Sequence, residues 1–358
     1  MTGRTNAWSR AERARLSDSV ASIPVRVHDR TQIGEARRAA LALSAQLGLT
    51  EQERANVAIV VTEVAANLAI HGREGLVLLR SLGGVGAPGL EVVAVDRGPG
   101  IRDVPRALAD GYSTAGTSGH GLGAIQRIAS EFDIFSSVDS GTALVARIWS
   151  GAGSTARTAR TLLVGAVCVP VTGEIACGDG WLVCDDARAT LVMVVDGLGH
   201  GADAAFAASE AARIVREHPS APPAEIVQAA HGALRATRGA ALAVATIDRE
   251  SPLVRYAGVG NISASIVSDG GVRNLASHNG IVGHQMHKVQ EFTYPWPTRA
   301  TLVMHSDGLS ARWRLDAYPG LVLRDPALIA GVLFRDFARG RDDATTVAVR
   351  DARPRGAE

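Results

Sequence analysis

The sequence has almost no net charge: 37 Lys and Arg against 36 Asp and Glu leave a formal +1. Nucleic acid and anionic membranes select an excess of positive charge, so neither is expected as a partner. No apolar run approaches the roughly 20 residues needed to span a bilayer. The opening stretch MTGRTNAWSRAERARL has arginines but no apolar core behind them, which argues against a secretory signal. Cysteine is scarce. Cys168, Cys177 and Cys184 are odd in number and lack CxxC spacing, which excludes a disulfide framework or a zinc site of that kind. They read as reduced small hydrophobes, and the protein as cytoplasmic. Aromatics make up 4% of the chain, and no unit repeats; Gly-His-Gly occurs at 119–121 and 199–201 without beginning one.

What is present fits two domains. At 358 residues, 46% of them hydrophobic, the chain is long enough for two cores. Residues 1–24 read as a polar N-terminal arm, 25–150 as a first domain, 151–160 (GAGSTARTAR) as a linker, 161–351 as a second domain and 352–358 as a tail. In the first domain TQIGEARRAALALSAQLG and EQERANVAIVVTEVAANLAIHG have helical spacing, and LEVVAVDRG and GTALVARIW read as strands. The second domain is a succession of short β-branched runs punctuated by Gly and Asp, with helices near 202–217, 223–237 and 326–338. That succession predicts a layered α+β fold.

Three motifs in the first domain point to a nucleotide. Glu63, Asn67 and His71 are four residues apart and share one helical face. A Glu and an Asn one turn apart suit a general base and a Mg²⁺ ligand. In VAVDRGPGI, Asp96 ends a strand and can accept from an exocyclic amine such as adenine's, while Gly98 and Gly100 let the backbone approach a flat ligand. SGHGLGA then brings Gly119, Gly121, Leu122 and Gly123 to a helix start, where free N–H groups favour phosphate.

In this order the motifs resemble the ExxxN, DxGxG and GxGxG boxes of the anti-sigma-factor serine/threonine kinases with the GHKL, histidine-kinase-like ATPase fold. The continuation GLGAIQRIASEFDIFSSVDSGTALVARIW is most similar to the stressosome switch kinases. The resemblance implies an α/β sandwich that binds ATP with Mg²⁺, Glu63 as base for a substrate hydroxyl, Asn67 on the metal and Asp96 on adenine. It also implies a STAS-domain protein as substrate, and leaves a sigma factor and a homodimer open. His71 is expected to pack or cap, and His120 is assigned no chemistry.

In the second domain CGDGW, VVDGLGHG, MHSDGLS and GRDDATTVAV end apolar runs on acid, at Asp179, Asp196, Asp307 and Asp342–Asp343. Converging carboxylates need cations to offset their repulsion, and two hard divalent ions would do so and activate water. Gly197 permits a tight turn and offers a carbonyl ligand. These stretches, with YAGVGNISA, resemble the metal-dependent protein phosphatases (PPM) of the SpoIIE type. The resemblance implies an α-β-β-α layered fold, two Mn²⁺ or Mg²⁺ ions, and a phosphoserine or phosphothreonine substrate. Asp196 would bridge the ions, Asp179 would hold the first, and Asp307 and Asp342 the second; Asp343 is expected to point away and His200 to stand outside the ligands. No arginine clamp for the phosphate stands out. The expectation is a bifunctional regulator of partner switching. The alternative is an ATP-binding module that sequesters its partner without phosphotransfer, joined to an active phosphatase.

Overall fold

Apolar periodicity becomes three sheets and seven α-helices among the described residues of the computed structural model. It describes residues 15–17 (main chain only), 21–83, 87–109, 121–151, 162–186 and 188–352. The elements in chain order are β1 (Arg15–Ser17), β2 (Ile23–Val27), α1 (Thr31–Gln46), α2 (Glu51–His71), β3 (Gly75–Leu82), β4 (Gly89–Val95), α3 (Val104–Leu108), α4 (Gly121–Ile128), β5 (Glu131–Ser137) and β6 (Gly141–Trp149). The second domain continues with β7 (Leu162–Val169), β8 (Asp179–Asp185), β9 (Ala189–Gly197), α5 (Ala202–Glu217), α6 (Pro223–Ala233), β10 (Ala240–Asp248), β11 (Leu253–Val259), β12 (Ser263–Ser268) and β13 (Gly271–Asn274). It ends with β14 (Phe292–Pro295), β15 (Thr301–His305), α7 (Pro326–Phe337) and β16 (Ala344–Asp351).

In the first domain an antiparallel sheet of order β2-β3-β4-β6-β5 carries α1 and α2 on one face. Thr50 starts α2 through a capping box: its Oγ1 accepts from Glu53 N, and Glu53 accepts from Thr50 N at 2.8 Å. Val57, Val61, Val64 and Leu68 then bury one helix face against Val77, Leu90 and Val92. β4 is buried along its whole length, because its other face is covered too. Leu78, Val93, Val95 and Val145 pack there against Ile329, Val332 and Leu333 of α7.

The second domain stacks two sheets, β1-β8-β9-β10-β11-β14 and β13-β12-β15-β16-β7. Trp181, Val194, Ala243, Met304 and Val347 fill the space between them. α5 and α6 cover the outer face of the first sheet, and α7 that of the second. The helices expected near 202–217, 223–237 and 326–338 occupy 202–217, 223–233 and 326–337.

The expected polar arm over 1–24 needs correction. Arg15–Ser17 pairs antiparallel with Val183–Asp185, Ser22 N donates to Cys168 O at 2.7 Å, and Ile23 already opens β2. The edge of β8 offers unpaired backbone groups, and an extended segment satisfies them whatever its polarity. Residues 152–161 of the linker region and 353–358 of the tail lie outside the described residues. All three cysteines are free, and the Sγ atoms of Cys168 and Cys177 stand 3.5 Å apart.

The domains meet through a buried ionic cluster. Arg147 donates Nε to Glu91 at 2.7 Å and Nη1 to Glu131 at 2.8 Å, and it forks onto Asp325 at 2.7 and 2.8 Å. Asp325 caps α7 by accepting from Ala327 N. Arg80 completes the charge balance of Glu91 and lies 5.1 Å over the ring of Trp181.

Candidate active sites

α2 sets Glu63 and Asn67, both half-buried, toward the start of α4. A Cβ on Gly121 would stand 2.9 Å from Glu63 Oε2 and 3.6 Å from Asn67 Oδ1, so a side chain there would displace the end of Glu63. Asp96 follows β4 and is buried; its N donates to Thr142 O at 2.9 Å and its Oδ1 accepts from Gly98 N at 2.6 Å. Burial pushes its pKa above the usual carboxylate value, against the Gly98 bond and the charge of Arg335. Gly98 packs where a Cβ would lie 2.5 Å from His71 O. Gly100 has φ +71° and would otherwise strike Ser137 O.

These residues bound a cavity of about 530 Å³ lined by Asn67, His71, Asp96, Gly100, Gly121 and Leu122, among others. That volume suits a nucleotide. Glu63 stands beside the cavity at Gly121, and Gly123 is buried within α4. Gly119 and His120 lie outside the described residues. Asn67 Nδ2 is buried without a hydrogen-bond partner, 3.7 Å from a Cβ position on Gly121. This polar cradle fits Mg-ATP. Arg102 and Arg106 also line the cavity and were missed. The available signal was one basic residue on the turn after Gly100 and a second four residues on, in α3.

In the second domain, antiparallel pairing decides which acids meet. Asp196 sits near the end of β9, and Asp307 lies just past β15. Asp179 begins β8, and Asp342 precedes β16. Starts and ends alternate at one edge, so the expectation that all four close apolar runs holds for only two of them. Asp179 and Asp196 are direct register partners. Asp179 is buried and accepts from Ser306 Oγ at 2.6 Å; burial and the Asp196 charge drive its pKa well above the ordinary range. Asp196 is pushed up to about 7 by burial, then by the charges of Asp307, Asp342 and Asp343.

Asp307 accepts from Asn261 Nδ2 at 2.7 Å. Just before it, neutral His305 donates Nδ1–H to Ser306 O and accepts at Nε2 from Trp313, and burial keeps its pKa low. Asp342 accepts from Asp343 N. Asp343 directs its carboxylate at Val171 N and Gly178 N, both at 2.7 Å, and so pins the loop ahead of β8. Ser306 and Asn261 lie within MHSDGLS and YAGVGNISA, but their bonds, like those of Asp343, join segments far apart in the chain and so were not legible locally.

The glycines after Asp196 have distinct uses. A Cβ on Gly197 would lie 2.2 Å from Ala204 O, and Gly199 and Gly201 have φ +86° and +77°, which turn β9 into α5. His200 is exposed and bonds Glu174 Oε1 at 2.7 Å through Nδ1. Arg238 reaches within 3.2 Å of a Cβ position on Gly199 and pairs with Asp203 at 2.7 Å, so a guanidinium does stand near this turn.

The acidic edge fits divalent cations in charge: none of Asp179, Asp196, Asp307 or Asp342 pairs with a basic residue among the described residues. As placed, no three His, Cys, Asp or Glu side chains among the described residues enclose a single point. The fit is therefore one of charge and shared edge, not of a closed cage.

Each domain resembles known proteins. Residues 27–148 match the family model described as histidine kinase-like ATPase domain, and 186–350 match Stage II sporulation protein E (SpoIIE). The chain is 30% identical over 125 residues to the serine/threonine-protein kinase RsbT of Bacillus subtilis (strain 168), covering 35% of this chain and 94% of RsbT. It is 24% identical over 139 residues to the phosphoserine phosphatase RsbX of the same organism, covering 38% of this chain and 70% of RsbX. A solved structure from work on the bacterial stressosome, a modular system adapted to control secondary messenger signaling, superposes with TM-score 0.50 at 30% identity. The match covers 53% of this chain and 100% of that one.

Proposed function

This chain belongs to the family of the RsbT-type serine/threonine kinases through its first domain and carries a SpoIIE-type PPM phosphatase domain behind it. From that premise we propose a regulator of partner switching that phosphorylates a serine or threonine of a STAS-domain protein and removes the same modification. One observation carries the reading: Glu63 and Asn67 stand against Gly121 at a nucleotide-sized cavity, while the second domain holds a separate acidic edge that would suit hydrolysis of the phosphoester. The action of RsbT as a kinase and of RsbX as a phosphoserine phosphatase supports one direction for each site.

In the kinase reaction Glu63 would take the proton of the substrate hydroxyl, Asn67 would hold Mg²⁺ through its side-chain oxygen, and Asp96 would accept from the adenine amine. The first N–H groups of α4, from Gly121, Leu122 and Gly123, would serve the phosphates. In the phosphatase reaction Asp179, Asp196, the Gly197 carbonyl, Asp307 and Asp342 would together hold Mn²⁺ or Mg²⁺. When bound, such ions neutralise the phosphate charge and supply activated water. Ser306 and Asn261 orient Asp179 and Asp307.

The test is incubation of the full chain with a STAS-domain protein and Mg-ATP, then with Mn²⁺ after ATP removal, followed by intact mass. A gain of one phosphate that Mn²⁺ reverses supports the proposal. No gain, with loss of phosphate from a pre-phosphorylated partner, makes the first domain a binding module and sinks the kinase half.

A further inference from the structure

The last turn of α7 belongs to the second domain, yet it backs the nucleotide cavity of the first. Arg335, whose side chain is only 6% exposed, donates Nη1 to the main-chain carbonyl of Asp96 at 2.7 Å. Its Nε and Nη2 fork onto Asp336 at 2.9 and 2.6 Å, and Asp336 also accepts from Tyr318 Oη. From the other side Arg97 donates Nη2 to Arg335 O at 2.5 Å and Nη1 to Glu74 at 2.7 Å. The Asp96 carbonyl has no slack, since a Cβ on Gly141 would stand 1.9 Å from it. A shift of the Asp96–Gly98 turn must therefore move Arg335.

Beyond Arg335 the chain runs straight to the acidic edge. Phe337 O accepts from Ser310 N at 2.9 Å, Ala338 bridges Leu309, and Arg339 N donates to Gly308 O at 2.8 Å. Gly308 follows Asp307, and a Cβ on it would lie 1.9 Å from Asp343 O. The segment 335–343 thus touches the adenine-side aspartate at one end and carries Asp342 at the other.

We propose that Arg335 is a positioning residue of the nucleotide cavity supplied by the phosphatase domain, and that segment 335–343 couples nucleotide occupancy to the geometry of the acidic edge. The inference rests on the nucleotide and phosphatase readings given above. A ligand held by Asp96 favours one placing of its turn, and both sites then bias a single packed element. Linkage makes the effect reciprocal.

The experiment measures hydrolysis of p-nitrophenyl phosphate by the full chain at fixed free Mn²⁺, with and without a saturating non-hydrolysable ATP analogue, together with the Kd of a fluorescent ADP. Wild-type protein is expected to change rate by about fivefold or more with the analogue. Arg335→Gln should bring that ratio close to one and weaken nucleotide binding by about tenfold, the loss of one charged hydrogen bond, with partial recovery in Arg335→Lys. Asp96→Asn controls for chelation, because a response that survives there is metal withdrawn by the analogue. If Arg335→Gln does not fold, Arg97→Gln severs the same clamp from the other side and should likewise lower the ratio. A wild-type ratio of one with both ligands bound, or a wild-type ratio and Kd in the Arg335 and Arg97 variants, overturns this inference alone. No nucleotide binding or no hydrolysis by wild type overturns the readings beneath it as well.

Discussion

Asp179 and Asp196 are register partners across the β8–β9 ladder, so two carboxylates meet at one sheet end, and neither pairs with a basic side chain among the described residues. Their mutual charge is tolerable only when protons or cations offset it.

Stability without divalent metal should therefore fall as pH rises. Asp196 has a folded pKa of about 7 against 3.8 for an unperturbed group. Between those values the folded state keeps a proton that the unfolded state has lost, so raising the pH removes stability. Asp179 is shifted in the same direction. Thermal melts in chelator should show a lower Tm at pH 8 than at pH 5.5, and Mn²⁺ should reverse most of that fall. A flat profile in chelator would mean that the two acids do not share the edge as described.

Asp196→Asn separates stability from chemistry. Removing one charge relieves the repulsion, so the chelated protein should melt at an equal or higher temperature. Phosphatase turnover should nevertheless drop by about 10²-fold or more, because a carboxylate of the proposed metal site is lost. Activity within a few fold of wild type would remove Asp196 from the proposed metal site.

Glu63→Gln should abolish phosphotransfer while leaving nucleotide affinity within about threefold. The side chain stands beside the cavity at Gly121, and loss of a general base costs about 10²–10⁴ in rate. Titration with a fluorescent nucleotide alongside a phosphotransfer assay reads both quantities. Parallel loss of binding and transfer would make Glu63 a structural residue.

Gly121→Ala places a methyl group 2.9 Å from Glu63 Oε2. Alanine favours a helix over glycine by about 1 kcal/mol, so thermal stability should hold or rise slightly. Phosphotransfer should fall by about tenfold, since Glu63 must turn away from the helix start. Unchanged transfer would show that this close approach has no part in catalysis.

Arg147→Met should destabilise the whole chain by about 3–5 kcal/mol in chemical denaturation, the usual cost of leaving buried charges unpaired. Glu91, Glu131 and Asp325 would all lose their shared partner. Burial works against the charge on Asp325, and Arg147 outweighs it to hold that carboxyl below the ordinary range. A loss under 1 kcal/mol would mean that the domains dock by apolar contact alone.

The sequence by itself determined the two motif sets and the layered α/β architecture. Helical spacing in α2, the Asp-Gly turn after β4 and the β-branched runs ending in Gly or Asp are short-range patterns that backbone geometry imposes on neighbouring residues. That is why Glu63, Asn67, Asp96 and Asp196 were legible one by one. Only the tertiary structure decided which acids share an edge, because antiparallel register sets a strand start beside a strand end. It also turned Asp343 toward the loop before β8, and brought Arg15–Ser17 to the edge of β8. The docking of α7 on the bare face of the first sheet, with Arg335 under Asp96, joins residues more than two hundred positions apart. No local pattern encodes that contact. It follows from the need of one apolar sheet face and one apolar helix to leave water together.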